Sequence, residues 1–316
     1  VGELGDRVSL ALIADRVHVR APGKLNVFFG VGDVRPDGYH PVASVYQAVS
    51  LFEDVVASPA DDITVSVTGD VDLADVPLDD RNLAVRAARM LAGVLGIDEG
   101  VHLDVHKGVP VAGGMGGGSA DAAAALVACN ELWGAQLTTA ELHELAAKLG
   151  ADVPFALLGG TAVGTGRGDE LTPALARGRI DWVLVTSPQG GLSTPTVYRR
   201  LDELRGEVDI GPTRGVPTVD AAVLQALRAG DAGALAAAAH NDLQAAALSL
   251  RPDLADVLAA GRAAGAHGGF VSGSGPTVAF IADGAEHART LVAALSTEGH
   301  TALAVHGPVA GARVVG

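Results

Sequence analysis

Apolar and polar positions along this chain follow two periods. Strand-like runs occupy Val17–Arg20, Leu25–Val31, Val42–Val56, Ile63–Thr68 and Val101–Lys107. Apolar residues return at helical spacing through Leu83–Leu95, with Asp80 or Asn82 placed to cap that helix. Two further helices follow, at Ala120–Trp133 and from Thr138 to Leu149. Thr138 and Glu141 form a capping box, and Gly150 is the stop. Gly159–Gly168 reads as a hairpin with tight turns. A second unit begins near residue 180 with a strand at Trp182–Thr186. Thr194–Asp202 reads as a loop leading into a short helix. Helices are expected at Val219–Ala229, Ala232–His240, Asp253–Ala264 and Glu286–Ser296. Strands are expected at Gly268–Ser272, Thr277–Ala282 and Thr301–His306. Residues 1–16 read as a loosely held lead-in, and Gly206–Pro217 as an exposed loop. Strands and helices interleave in both halves, which predicts a two-layer α+β protein with largely antiparallel sheets in two domains.

One loop stands out from that pattern. Pro110, Val111, Ala112, Gly113, Gly114, Met115, Gly116, Gly117, Gly118, Ser119 and Ala120 lie between a strand and an alanine-rich helix. Glycine can take positive φ and lets a ligand approach bare backbone. A helix start carries unpaired N–H groups and a partial positive charge, so the pair makes an anion site, most often for phosphate. Ser119 can cap the helix or offer a hydroxyl to a metal-bound phosphate. A plain tight turn is the alternative. The loop is not a Walker A loop, because Ser119 stands where the lysine belongs. Nor is it a dinucleotide fingerprint, since the following segment is another helix rather than a strand ending in an acid.

Charge narrows the ligand. The 316 residues carry a net charge of −15 with a pI near 4.9, which argues against nucleic acid or an acidic membrane as partner. An anionic ligand must therefore be held locally, by loop amides and a few cations. Hydrophobic residues at 48% can fill a real core. The single cysteine, Cys129, excludes an internal disulfide and reads as an inert core thiol. No apolar run is long enough to span a bilayer and no signal sequence opens the chain, so the cytoplasm is the expected location.

Other residues are ambiguous on their own. Lys24 and Asn26 lie two apart in an extended run and so share a face. Asp37-Gly38 is a turn signal that releases Tyr39 and His40 together, either as an anchor and a surface histidine or as a pair suited to a heterocyclic base. Asp152 follows a helix stop and precedes Val-Pro, which suits a helix cap.

Taken together, three segments change that picture. Pro22-Gly-Lys24-Leu-Asn26, the Pro110–Asp121 loop and Ser272-Gly-Ser-Gly-Pro276 resemble, in order and spacing, the three motifs of the GHMP kinase superfamily. Arg35-Pro-Asp-Gly-Tyr-His40 and Leu149-Gly-Ala-Asp-Val-Pro154 are similar to the 4-diphosphocytidyl-2-C-methyl-D-erythritol kinases within it. The resemblance runs from about Val17 to Val314. It implies an α+β fold of two domains. Residues 17–178 would form an N-terminal domain with a mixed or antiparallel sheet. Residues 179–316 would form a C-terminal ferredoxin-like α/β sandwich, with the active site in the cleft between them. It implies ATP, brought with magnesium, as co-substrate, no tightly held cofactor, and a CDP-linked methylerythritol as acceptor. Lys24 and Asp152 would be catalytic. Asn82, Lys107 and residues Pro110 to Ala120 would bind ATP, with Ser119 a candidate magnesium ligand. Asn26, Tyr39, His40, Tyr198, Gly273, Ser274 and Gly275 would bind the acceptor. A monomer or weak homodimer is expected. Met115 stands where leucine is frequent and Ala112 where glycine is common.

Overall fold

A computed structural model describes residues 15–186, 189–207 and 215–315. Most of the lead-in and of the Gly206–Pro217 loop therefore lies outside the described residues. The chain opens with β1 (Val17–Val31), β2 (Val42–Ala60) and β3 (Thr64–Gly69). It continues through α1 (Leu83–Leu95), β4 (Gly100–Lys107), α2 (Gly117–Leu132), α3 (Thr139–Leu149) and α4 (Val153–Leu158) to β5 (Thr161–Thr165) and β6 (Glu170–Pro173). The second half holds β7 (Ile180–Thr186), α5 (Thr194–Glu207), α6 (Ala221–Ala229), α7 (Ala232–Ala238) and β8 (His240–Asn241). Then come α8 (Gln244–Leu250), α9 (Asp253–Ala263), β9 (Gly268–Val271), β10 (Val278–Ala282), α10 (Gly284–Thr297), β11 (Thr301–Gly307) and β12 (Arg313–Val314).

The first sheet runs β12-β1-β2-β4-β3, with β5, β6 and β8 joined to its side. It is antiparallel except where β3 meets β4 and β8 meets β1. The second sheet has the order β11-β7-β10-β9, all antiparallel, and its helices make the βαββαβ path of a ferredoxin-like sandwich. The break expected at 178/179 is crossed twice. Both β8 and β12 leave the second half to pair with β1.

The expected interruption between Val17–Arg20 and Leu25–Val31 is a pair of bulges inside one long strand. Register shifts fall between Pro22 and Gly23 and between Asn26 and Phe28. The first shift leaves Ser50 and Leu51 of β2 without partners and the second leaves Val27 of β1, and such irregularities change which residues face which side. Val17, Val19 and Ala21 accordingly join the core under α1–α3, whereas Leu25 and Val27 join the core shared with the second sheet. Lys24 and Asn26 are thereby left on the side of α2.

Helix α2 is buried nearly all round, with Ala120, Ala122–Ala125, Ala128 and Cys129 fully enclosed. Alanine's small side chain lets the helix lie close to β1, β2 and α1 at once. That fixes its N-terminus against the sheet. Two contacts fasten the sheets together: Trp182 Nε1 donates to Gln47 Oε1 at 2.8 Å, and His306 N donates to Ser50 Oγ at 2.9 Å.

Helix α8 is absent from the expected elements, and α5 starts earlier than expected. The Thr194–Asp202 segment is helical from Thr194. Pro195 is tolerated there because first-turn N–H groups have no partner in the helix, and Val197 and Leu201 give it a buried face.

Candidate active site

A cleft of about 1140 Å³ is lined from both halves of the fold. That exceeds the upper end of single-ligand pockets, roughly 1,000 Å³, and leaves room for two substrates.

Its floor is the glycine loop and the start of α2. Gly116 is the N-cap, at φ 72°, and no side chain caps the helix. Ser119 therefore does not cap. It lies inside the first turn with its side chain on the cleft, and the helix's first N–H groups are left for a ligand. Pro110 to Gly114 and Gly116 to Ser119 line the cleft. Met115 and Ala120 do not: both are fully buried behind it. Met115 O accepts from Lys24 N at 2.9 Å, so Met115 pins the loop to β1 and its side chain fills the shared core. Ala112 sits at φ 53°, in the left-handed region, which accounts for a preference for glycine there.

The loop is locked from above by the second glycine turn. Thr277 N donates to Gly113 O at 3.3 Å. Gly114 is at φ 76°, and a Cβ on it would lie 2.5 Å from Ser272 O. Gly114→Ala meets both left-handed strain, about 1–3 kcal/mol, and that collision. It is expected to weaken ATP binding by about tenfold or more and to lower the melting temperature, read by calorimetric titration and thermal unfolding. Unchanged ATP affinity would show that the loop's close approach to Ser272 is dispensable. Gly273 and Ser274 also face the cleft, while Gly275 packs on Val271 behind it.

Beside the loop lies the charged centre. Lys24 Nζ donates to Asn26 Oδ1 at 2.6 Å and stands 3.4 Å from Asp152 Oδ2. Asn26 Nδ2 donates to Ser44 Oγ at 2.8 Å, and Ser44 Oγ donates to the Phe28 carbonyl at 3.0 Å. This chain of donors fixes the lysine rotamer, and it occupies both ends of the Asn26 amide. Asp152 holds the N-cap position of α4 yet makes no capping hydrogen bond. Its carboxylate is turned to the cleft and its side chain is 30% exposed, against 9% for Lys24. Tyr46 is paired opposite Asn26 on β2; burial first, then the Asp152 charge, raise its hydroxyl well above the ordinary value. Tyr46 carried no signal in the sequence beyond an aromatic residue in a strand.

At the far end, α5 sets Tyr198 and Asp202 one turn apart on one face. His40 meets both. Its Nε2 lies 2.9 Å from Asp202 Oδ1, and its ring lies 5.0 Å from that of Tyr198. The anchor-and-surface reading of Tyr39 and His40 is inverted. Tyr39 is 51% exposed, whereas the His40 side chain is 6% exposed. Tyr39 carries the Arg167 guanidinium at 3.4 Å from its ring centre. Neither Arg167 nor Asp202 was apparent from sequence.

Asn82 and Lys107 line the cleft with their polar groups already engaged. Asn82 caps α1, accepting from Ala84 N at 2.9 Å and donating to Pro77 O at 2.8 Å. Lys107 Nζ lies 2.6 Å from both Glu53 Oε1 and Asp121 Oδ2. Glu53 Oε2 also accepts from Gly108 N at 3.0 Å. Burial raises the Glu53 carboxyl to about 8 and raises that of Asp121 as well. Among the described residues no group of three or more His, Cys, Asp or Glu could hold a metal ion. No described helix is long and apolar enough to cross a membrane.

Models of the GHMP kinase N-terminal and C-terminal domains match residues 82–160 and 223–301. The chain is 58% identical to a 4-diphosphocytidyl-2-C-methyl-D-erythritol kinase of Leifsonia xyli subsp. xyli, over 95% of this chain and 99% of the relative. It is 55% identical to the protein of that name in Clavibacter michiganensis subsp. michiganensis, over 97% and 99%. A crystal structure of 4-(cytidine 5'-diphospho)-2C-methyl-D-erythritol kinase superposes with a TM-score of 0.74 at 35% identity, covering 92% of this chain and 98% of that one. Homoserine kinase from Cytophaga hutchinsonii superposes at 0.71 with 19% identity over 96% and 99%, a likeness of fold. With that length and identity behind it, the chain belongs to the GHMP kinases, in the family of the 4-diphosphocytidyl-2-C-methyl-D-erythritol kinases.

Proposed function

We propose that this chain transfers the γ-phosphoryl group of ATP to the C2 hydroxyl of 4-diphosphocytidyl-2-C-methyl-D-erythritol, a step of the non-mevalonate route to isoprenoid precursors. The observation that carries the reading is the Lys24–Asp152 pair, at 3.4 Å, lodged between the open N-terminus of α2 and the pocket of Tyr39, His40 and Tyr198.

The chemistry follows from that placement. The glycine loop amides and the α2 terminus hold the triphosphate. The acceptor's cytosine lies at the Tyr39, His40 and Tyr198 end, where rings can stack and a fixed imidazole can meet a base edge. Its C2 hydroxyl then reaches Asp152. The hydroxyl oxygen forms the new bond to phosphorus as the bond from phosphorus to the β,γ-bridging oxygen breaks. Asp152 takes the hydroxyl proton, and ADP leaves. Lys24, 3.4 Å from Asp152, offsets charge on the transferring group. Positioning and electrostatics carry most of such a reaction.

The residues fit a metal ion that arrives on ATP better than one held by protein alone. Ser119, with its hydroxyl on the cleft at the helix start, is the candidate ligand. Magnesium bound there would neutralise phosphate charge.

The test is ADP release with magnesium and ATP, with and without the CDP-linked acceptor, set against homoserine and mevalonate. Turnover dependent on the CDP-linked acceptor is expected. Preference for either small acceptor would move the chain to another branch of the superfamily.

A further inference from the structure

The cleft is short of free positive charge. Lys24 is paired with Asp152, Lys107 with Glu53 and Asp121, and Arg81 with Asp79. Among the described cleft residues, Lys148, Arg167 and Arg199 have no carboxylate within ion-pair distance. Asp169 and Asp202 also face the cleft and add negative charge. A diphosphate entering here needs a cation that is not already spent.

Arg167 is the one of the three held in place by an aromatic ring at the nucleoside end. Its guanidinium carbon lies 3.4 Å from the Tyr39 ring centre. A cation stacked on a ring keeps its N–H donors free at the edges.

The turn beneath it is fixed at two points. Gly166 O accepts from Val42 N at 2.9 Å, just past His40, and Gly168 N donates to Thr165 O at 2.8 Å. Gly166 and Gly168 have φ values of 68° and 100°, a shape that glycine adopts without strain. A Cβ on Gly168 would stand 2.5 Å from the Tyr46 hydroxyl, and the centre of that ring lies 5.8 Å from Lys24 Nζ. The turn therefore reaches from the base-binding residues to the reacting centre. The link between the nucleoside and the polyol of a CDP-linked acceptor is a diphosphate, and it must cross that same interval.

We propose that Arg167 binds the diphosphate of the acceptor, with Tyr39 holding its guanidinium in position. This rests on the CDP-linked acceptor of the preceding section. It makes Arg167 a specificity-determining residue: an acceptor without the diphosphate gains nothing from it.

The experiment compares CDP and cytidine as ligands of wild type, Arg167→Met and Arg167→Lys, by calorimetric titration, together with steady-state kinetics. Arg167 is exposed, so the variants are expected to fold, and thermal unfolding checks it. A charge-assisted hydrogen bond predicts that Arg167→Met weakens CDP binding by about tenfold or more while cytidine binding stays within about twofold. The KM for the CDP-linked acceptor rises in step, the KM for ATP does not, and Arg167→Lys recovers part of the loss. Equal weakening of CDP and cytidine would reduce Arg167 to a prop for Tyr39 and overturn the proposal. So would undiminished CDP binding. If wild type binds no CDP, the substrate reading fails and this inference with it. If wild type binds CDP and Arg167→Met binds it equally well, only the arginine's role fails.

Discussion

Asp152→Asn is expected to lower kcat by roughly 10²–10⁴ while the melting temperature and the KM for ATP stay near wild type. The amide keeps the shape of the carboxylate and can still point at an acceptor hydroxyl, but it cannot take a proton. Stability should hold because Asp152 makes no capping hydrogen bond, so α4 loses nothing. The Lys24 ammonium also keeps its bond to Asn26. Steady-state ADP release and a single-turnover measurement with the CDP-linked acceptor check this together. A loss smaller than about tenfold would mean that Asp152 orients the hydroxyl and that the proton leaves by another path. A large loss accompanied by unfolding would place Asp152 in the scaffold.

Lys107→Met is expected to act on stability before it acts on catalysis. The lysine is 3% exposed and bridges two buried carboxyl groups. Removing one member of a buried ion cluster costs about 3–5 kcal/mol, because the remaining charges have nothing to meet. That corresponds to a fall in melting temperature on the order of 10 °C. The pH dependence gives an independent reading. Glu53 ionises near 4.5 when unfolded and at about 8 when folded. Between those values the unfolded chain has given up this proton and the folded chain keeps it, so folding stability from this group falls as pH rises and is lost above about 8. Glu53→Gln should flatten that slope, seen as a melting temperature that declines less between pH 5 and pH 8 (about the same window) than in wild type. The expectation that Lys107 contacts the adenosine makes the opposite forecast for Lys107→Met: a raised KM for ATP with little change in stability. The geometry favours the clamp, since Glu53 Oε1 would lie 2.7 Å from a Cβ on Gly117 and the cluster thus braces the first residue of α2.

The sequence carried the local structure well where local chemistry is decisive. Helix α1 runs over the expected residues because Asn82 caps it and its apolar positions repeat at helical spacing. The capping box of α3 is present as read. Elsewhere distant partners overrode the local pattern. The Thr194–Asp202 segment reads as a loop leading into a short helix because Thr-Pro-Thr is a turn-like string, and only packing of Val197 and Leu201 shows the buried face of α5. The two-residue strands β8 and β12 have no period to detect, and they exist because β1 offers an edge on each side of its bend.

The candidate site divides in the same way. Lys24, Asp152 and the glycine loop stood out because each sits in a motif whose spacing is fixed along the chain. Glu53, Tyr46, Arg167 and Asp202 did not. Glu53 reaches Lys107 across 54 positions, and Asp202 reaches His40 across 162. By itself the sequence determined most of the elements, the glycine loop between a strand and a helix, and the residue types on offer, since these depend on propensity, capping and short-range spacing. Which face Lys24 presents was decided by the bulge at Pro22 and Gly23. Whether Asp152 caps a helix or faces the cleft, and which cations remain free, was decided by tertiary structure. Those outcomes depend on burial and on charges that meet only after the chain has folded.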